Sequence, residues 1–414
     1  MPQLLWANVI DFYQPPDIDR AELDKIVNRS YIPLVKIFEQ LPKVSFTVNL
    51  PGSTIDLLIK TGFGQLIKKF AKLAERGQVD FTMTPRYQPI IPIFDDDVVD
   101  RQIDAHNKTC ERYFGIYYKP QGLYSPYLSY NQKTGKTGAR YLLKWILVDE
   151  TVVGSRNHSS LFMDKGAGGI LLMPSRRDPT WRLNGSYRAK KIPRSASEMI
   201  QYLLSLSDNN TRYLITISDA ANFGHVNAGR DGMLRALYQD GKIRSVSVSQ
   251  LRRFVKRKEF VKPVDSSSET FGNHGKKSSP YSLWDDNKSP IQQTLWSLYK
   301  LASAEIRNAG AKGDPQYARA REMLDMASAA INWDRLSCKP WWESAYALKA
   351  AEDLAIAVFV VVSSPLKSKE QAIKLRQKLH DQVTQFERSG EVKKAQQAFF
   401  KSNNIPSDRL PKNR

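Results

Sequence analysis

Seven short, nearly unbroken apolar runs separated by longer segments of helical periodicity constrain this chain more than any other feature. The runs are residues 4–12, 44–50, 79–84, 145–148, 169–173, 213–218 and 244–248. A strand with one wetted face alternates apolar and polar residues. Unbroken runs belong to strands covered on both faces. Between the first runs, Leu23, Ile26, Val27, Ile32, Val35 and Phe38 recur at helical spacing. Leu66, Ile67, Phe70 and Leu73 repeat the pattern, which stops at Gly77, a residue suited to ending a helix. Strands alternating with helices predict a parallel α/β sheet or barrel over residues 1–255.

Residues 256–292 are polar and too long for an ordinary loop, so they read as a linker or a loop crossing the domain face. The character then changes. Residues 291–310, 314–332, 341–364 and 368–390 are rich in Ala, Leu, Gln and Lys, with Ser, Asp or Pro near their starts. Four such segments with short joints predict an all-helical C-terminal bundle over 293–402, followed by a basic tail at 403–414.

Charge and cysteine content narrow the setting. The chain has 414 residues, with 62 Lys and Arg against 42 Asp and Glu, a net charge of +20. The excess thickens between Lys242 and Lys262, where eight basic residues meet one acid, and again from Pro365 onward. A solvated basic surface is the plain meaning; attraction of a polyanion is the other. Two cysteines, Cys110 and Cys338, exclude a disulfide scaffold and a Cys-rich zinc site. No apolar stretch approaches the ~20 residues that span a bilayer, and the first residues carry no secretion-signal pattern. The expectation is a cytoplasmic protein.

In a parallel α/β barrel, ligands bind beyond the C-terminal ends of the strands. That rule selects Asp11, Tyr13 and Gln14 after the first run and Gln88 after the third. It also selects Tyr124 and Tyr127 in residues 120–127, Asp149 and Glu150, and Asp219 to His225 after the sixth run. Aromatic rings mixed with amides and carboxylates suit a sugar, whose C–H faces stack and whose hydroxyls need polar partners. The five histidines, His106, His158, His225, His274 and His380, include no pair at i, i+4 spacing, so no metal is expected. No phosphate-binding glycine loop joins a strand to a helix, and no cofactor is expected.

The motifs, taken in order, resemble glycoside hydrolase family 57, the α-amylase, branching-enzyme and 4-α-glucanotransferase group. DFYQPP at residues 11–16 is similar to the family's first motif, often written HxYQPP. ERGQVDFTMTPRYQPIIPIF at 75–94 resembles the second, a strand running into YHPILPL. Arg101-Gln102-Ile103, with the Phe114-Gly115 pair downstream, is similar to the helix that follows. PQGLYSPYLSY at 120–130 resembles the third motif, and WILVDE at 145–150 the strand after it. TISDAANFGHV at 216–226 resembles the fourth, D-x-E-x-F-G-H. SCKPWW at 337–342 is similar to an element of the family's helical domain. The resemblance implies an incomplete, seven-stranded (β/α) barrel followed by a helical bundle.

The resemblance also exposes departures. Family members are retaining enzymes, which need one carboxyl group as nucleophile and another as acid/base. Asp219 keeps the family's acid/base position. Tyr127 stands where the nucleophilic Glu is expected. Asp11 and Gln88 replace motif histidines, and Ala221 replaces the fourth-motif Glu. Glu150 and Glu111 are the nearby acids that could substitute. The leading expectation is a catalytically degenerate family member that binds α-glucan or a related oligosaccharide, with Asp11, Tyr13, Gln14, Gln88, Tyr124, His225 and Trp341 contacting it. One alternative is an active glycosidase or glucanotransferase using Asp219 by an altered mechanism. The other is a basic scaffold or nucleic-acid-associated protein on a borrowed barrel. His225 reads equally as a substrate donor or a turn-fixing residue. The Trp341-Trp342 pair reads as cleft lining or bundle core.

Overall fold

The computed structural model describes residues 4–154, 159–207, 213–270 and 279–403. The tail beyond 403, His158, His274 and the middle of the polar connection lie outside them. Packing divides the chain into two units, Met1–Arg86 with Asp95–Ser268, and Tyr87–Phe94 with Glu269–Arg414.

The first unit is built on ten strands: β1 (Leu4–Asp11), β2 (Phe46–Asn49), β3 (Val79–Met83), β4 (Gly122–Tyr124), β5 (Trp145–Asp149), β6 (Leu161–Asp164), β7 (Ile170–Ser175), β8 (Tyr213–Asp219), β9 (Ile243–Ser245) and β10 (Lys258–Val261). Seven run parallel in the order β7-β5-β4-β3-β2-β1-β8. The two ends approach each other, with the Arg176 N–H donating to the Ile215 carbonyl at 3.0 Å. This is the incomplete seven-stranded (β/α) barrel that the resemblance implied. Antiparallel β6 extends it at β7, and β10 pairs parallel to β6.

Four strands differ from expectation. β4, β6 and β10 were not expected, and the run at 244–248 is not one of the seven. Its β9 pairs the start of β1, at Leu4–Trp6, below the stretch of β1 that pairs β2. β4 escaped notice because it is three residues long inside a segment rich in turn formers. Its glycine is obligatory: a Cβ on Gly122 would lie 2.1 Å from the Trp145 ring.

Strand alternation separates two cores. From β1 and the residue after it, Trp6, Ile10 and Phe12 face the helix layer, where Phe12 meets Tyr31 and Phe70 edge to face. Ala7 and Val9 face the barrel interior with Trp145, Leu147, Met173, Tyr213 and Ile215. The same parity turns the last residue of β1, Asp11, and of β8, Asp219, to the interior.

The helical stretch from Arg20 to Gln40 widens to a π-helical turn at Val27–Tyr31. Pro33 explains it. Proline has no N–H for the carbonyl four residues back, Arg29, and its ring would crowd that carbonyl; the wider turn relieves the clash.

The second unit is helical, with long helices at Pro290–Ala311, Tyr317–Ala327, Ser344–Val360 and Leu366–Arg388, and Glu391–Ser402 after them. Ser289 caps the first, accepting the Gln292 N–H, with Pro290 next in line. Phe94, Trp296, Tyr299 and Trp333 form one aromatic cluster in its core.

Candidate active site

The C-terminal ends of β1 to β4 carry a connected set of polar side chains on the barrel interior. Thr82 donates its hydroxyl to Asn49 Oδ1 at 2.9 Å. The Asn49 amide donates to Asp11 Oδ1 at 2.8 Å, and the Tyr124 hydroxyl donates to Asp11 Oδ2 at 3.0 Å. The Tyr13 N–H adds a third donor, to Asp11 Oδ1 at 3.1 Å. Three donors favour the carboxylate, yet burial outweighs them and pushes the Asp11 pKa up to about 6. Asp11 therefore titrates near neutrality.

Gln14 and Tyr31 flank this set. The Gln14 amide donates to the Tyr31 hydroxyl at 2.9 Å, and its backbone N–H reaches Thr54 Oγ1 at 3.2 Å. Burial, then the charge of Asp219, holds the Tyr31 phenol well above its ordinary pKa. Tyr124 is raised likewise, by burial first and then by Asp11, with Asp219 contributing. Both phenols thus stay protonated at any physiological pH.

Asp219 ends β8 and is exposed. Its Oδ1 accepts the Ala221 N–H at 2.8 Å, fixing the turn at Ala220–Asn222. That turn is held from behind. The Ser30 hydroxyl, on the π-helical turn, contacts the carbonyls of Ala220 and Phe223. Gly224, at φ +113°, sits so near the Arg29 carbonyl that a Cβ would lie 2.1 Å from its oxygen. His225, 10% exposed, pairs through Nε2 with Glu22 at 2.9 Å. Its ring ties the loop to the same helix.

Tyr127 lies in the turn Pro126–Leu128 after β4, half-buried, with φ +55°. Its carbonyl accepts the Ser268 N–H at 2.8 Å. The two acids that could have substituted for a nucleophile are placed otherwise. Glu150 pairs with Arg176 at 2.9 Å and accepts the Arg177 N–H, and burial raises its pKa. Glu111 is exposed on the helix Asp96–Phe114. Asp149, 2% exposed, is gripped by the Arg177 Nε at 2.9 and 3.0 Å.

The structure thus brings together Asp11, Tyr13, Gln14, Tyr124 and Asp219 in the first unit, while Tyr127 and His225 lie in the same unit with their contacts to Ser268 and Glu22. Gln88 and Trp341 belong to the second. Gln88 is buried at φ +60°, its carbonyl accepting the Ala330 N–H. Trp341 is half-buried beneath the Arg335 guanidinium at 5.4 Å, and the Trp342 indole donates to Glu387 at 2.9 Å. Asn49, Thr82, Tyr31 and Arg177 were missed. Asn49 was accessible to the strand-end rule, since it closes an apolar run. Tyr31 and Arg177 act from helices, where that rule gives no signal. No group of three or more metal-ligating side chains occurs among the described residues.

The model of glycosyl hydrolase family 57 matches residues 7–269. Alpha-amylase 1 of Dictyoglomus thermophilum is 27% identical over 128 residues, which are 31% of this chain and 18% of that amylase. The chain therefore spans less than a fifth of the curated relative it matches. The GH57-type branching enzyme of Pyrococcus horikoshii superposes with a TM-score of 0.71 at 14% identity, covering 94% of this chain and 96% of that one. The 4-alpha-glucanotransferase of Thermococcus litoralis gives 0.69 at 16%, covering 87% and 60%. At these identities the structures speak for the fold.

Proposed function

The chain belongs to glycosyl hydrolase family 57, and we propose that it has given up the double-displacement reaction while keeping a cleft for α-glucan or a related oligosaccharide. One observation carries the reading. The nucleophile position is Tyr127, and neither substitute acid is disposed to replace it: Glu150 is ion-paired and Glu111 faces solvent. Retention needs two carboxyl groups on either side of the anomeric carbon. A phenol with an ordinary pKa near 10 needs a neighbouring base to serve instead.

Sugar binding is supported by what the strand ends present. Asp219, Tyr124, Gln14 and Tyr13 offer a carboxylate, a phenol, an amide and an aromatic ring at one end of the barrel. The proteins of similar fold are named a branching enzyme and a glucanotransferase, and the curated relative an amylase. An α-1,4-linked oligosaccharide is therefore the ligand to try first. We place the protein in a reducing, cytoplasmic setting, a reading supported by two free, buried cysteines.

The test is a calorimetric titration with maltoheptaose, comparing the wild-type chain with Asp219→Ala. Charge-assisted hydrogen bonds contribute about 1.5–3 kcal/mol, so the variant should bind about ten- to a hundredfold more weakly. Absence of binding by the wild type would overturn the glucan reading. Product release at an enzymatic rate would overturn the loss of catalysis.

A second reading has its own observation. Asp11 stands in register with Asp219 and titrates near neutrality, which suits an acid/base partner for an altered mechanism. It requires turnover lost in Asp11→Asn but kept in Tyr127→Phe.

A further inference from the structure

The opposite end of the barrel holds a recess of about 490 Å³, within the range of small-molecule sites. Its walls are the entry to β3, residues 117–121 leading into β4, and the short helix Val248–Phe254 with its flanks. That helix closes the floor of the barrel. Ser249 donates its N–H and hydroxyl to Asp80 at 3.0 and 2.9 Å, the Trp145 indole donates to Ser249, and the Val248 N–H reaches Thr47.

Four cations line the recess: Lys119, Arg252, Arg253 and Lys256. Arg252 is half-buried and the other three are exposed. Among the described residues, Arg252 donates to the Gln121 side chain at 3.1 Å, and none of the four is ion-paired. Asp80 is the one acid in the lining, and it offsets at most one of the four charges. Its oxygens face Ser249 and Thr47 and are already engaged.

Four like charges around a concavity repel one another, and a chain of +20 gives them no long-range relief. A compact anion removes that repulsion. Guanidinium forks match phosphate oxygens in pairs, and the recess is concave enough to strengthen such contacts over those on an open surface. The Tyr117 ring, 42% exposed at the rim, offers a face to an attached ring.

We propose that this recess binds a small, multiply charged phosphate ligand of the size of a nucleotide or sugar phosphate. The site is separate from the Asp11 and Asp219 ends of the strands and does not depend on the sugar reading. A half-open concavity of this volume accommodates a compact ligand, whereas a nucleic-acid strand would need an extended basic groove.

The experiment titrates the full chain with inorganic tripolyphosphate by calorimetry, at low and at physiological salt. One saturable site is expected, weakening with salt. The triple variant Arg252→Ala, Arg253→Ala, Lys256→Ala should lose at least about tenfold in affinity, since each charge-assisted bond is among the stronger kinds. Its thermal melt should match the wild type, because these side chains carry little of the core. A control, Lys36→Ala with Lys60→Ala, removes two exposed charges elsewhere and should bind as wild type. Absence of saturable binding overturns the proposal, as does an equal loss in the control. A single-stranded oligonucleotide that binds tighter than tripolyphosphate, and at several sites per chain, overturns it in favour of a diffuse polyanion surface.

Discussion

Asp11 and Asp219 are paired residues in the parallel register of β1 and β8, the last of seven consecutive partners along the two strands. Both therefore turn to the barrel interior at the same level. One is half-buried with three donors on it, and the other is exposed and fixes its own turn. Desolvation raises the Asp11 pKa to about 6 in spite of those donors.

Asp11→Asn should stabilise the protein at neutral pH. The folded pKa is about 6 against an ordinary value of 3.8. The native state therefore binds more protons than the unfolded chain between these values, and stability falls as pH rises through that window. Two units correspond to about 2–3 kcal/mol. Asparagine keeps Oδ1 for Asn49 and Tyr13, and its amide can donate to the Tyr124 oxygen, so the polar set survives. Urea unfolding should show the variant ahead at pH 7.5 and the gap closing toward pH 4. A gap independent of pH would mean Asp11 is not the titrating group.

Tyr127→Glu alone should not produce a glycosidase. Glutamate and tyrosine tolerate φ +55° equally poorly, so the substitution adds no backbone strain of its own. On the proposed reading the missing parts lie elsewhere, since the resemblance sets Asp11 and Gln88 at motif histidine positions and Ala221 at a glutamate position. Catalytic groups act as a unit, and restoring one member recovers little rate. Reducing-sugar release from maltoheptaose should stay at the level of Asp219→Ala. Sustained turnover from the single variant would show that the surrounding shell is dispensable.

The alternation of apolar runs and amphipathic segments is enough to read a parallel barrel, and the strand-end rule names Asp11 and Asp219, which the fold sets at the ends of β1 and β8. What escaped did so for physical reasons. β4 carries three residues, too few for any period to register, and its existence depends on Gly122 admitting the Trp145 ring. β6 and β10 join the sheet beyond the seven strands, where β10 is largely exposed and has no apolar run to announce it. Arg177 and Tyr31 reach the strand ends from helices, a relationship that tertiary packing creates. The π-helical turn could have been suspected from Pro33, because a proline within a helical period must disturb the turn before it.

That turn yields its own prediction. Gly224→Ala would drive a Cβ to within 2.1 Å of the Arg29 carbonyl, at a φ that L-residues rarely adopt. The loop must move, and Ser30 then loses the Ala220 and Phe223 carbonyls that it holds. Strain and a broken buried network together should cost about 3 kcal/mol or more. The melting temperature should drop by several degrees. A melt within a degree of wild type would mean the loop relaxes freely and is not held by the helix.

Arg177 and Asp149 supply the last test, because both are withdrawn from solvent, at 15% and 2% exposure of their side chains. Such a pair stabilises little against a well-packed apolar replacement, since desolvating both charges offsets most of their attraction. Breaking it is another matter. Arg177→Ala would strand the Asp149 carboxylate with Thr151 as its remaining partner, at an expected cost of about 3–5 kcal/mol. Asp149→Asn in the same chain removes the stranded charge, and the double variant should recover a large part of that loss. Denaturant unfolding of the four members of this cycle would measure the coupling directly. A double variant no more stable than Arg177→Ala would mean that Arg177 matters for its bond to the Ser267 carbonyl at 3.0 Å rather than for Asp149.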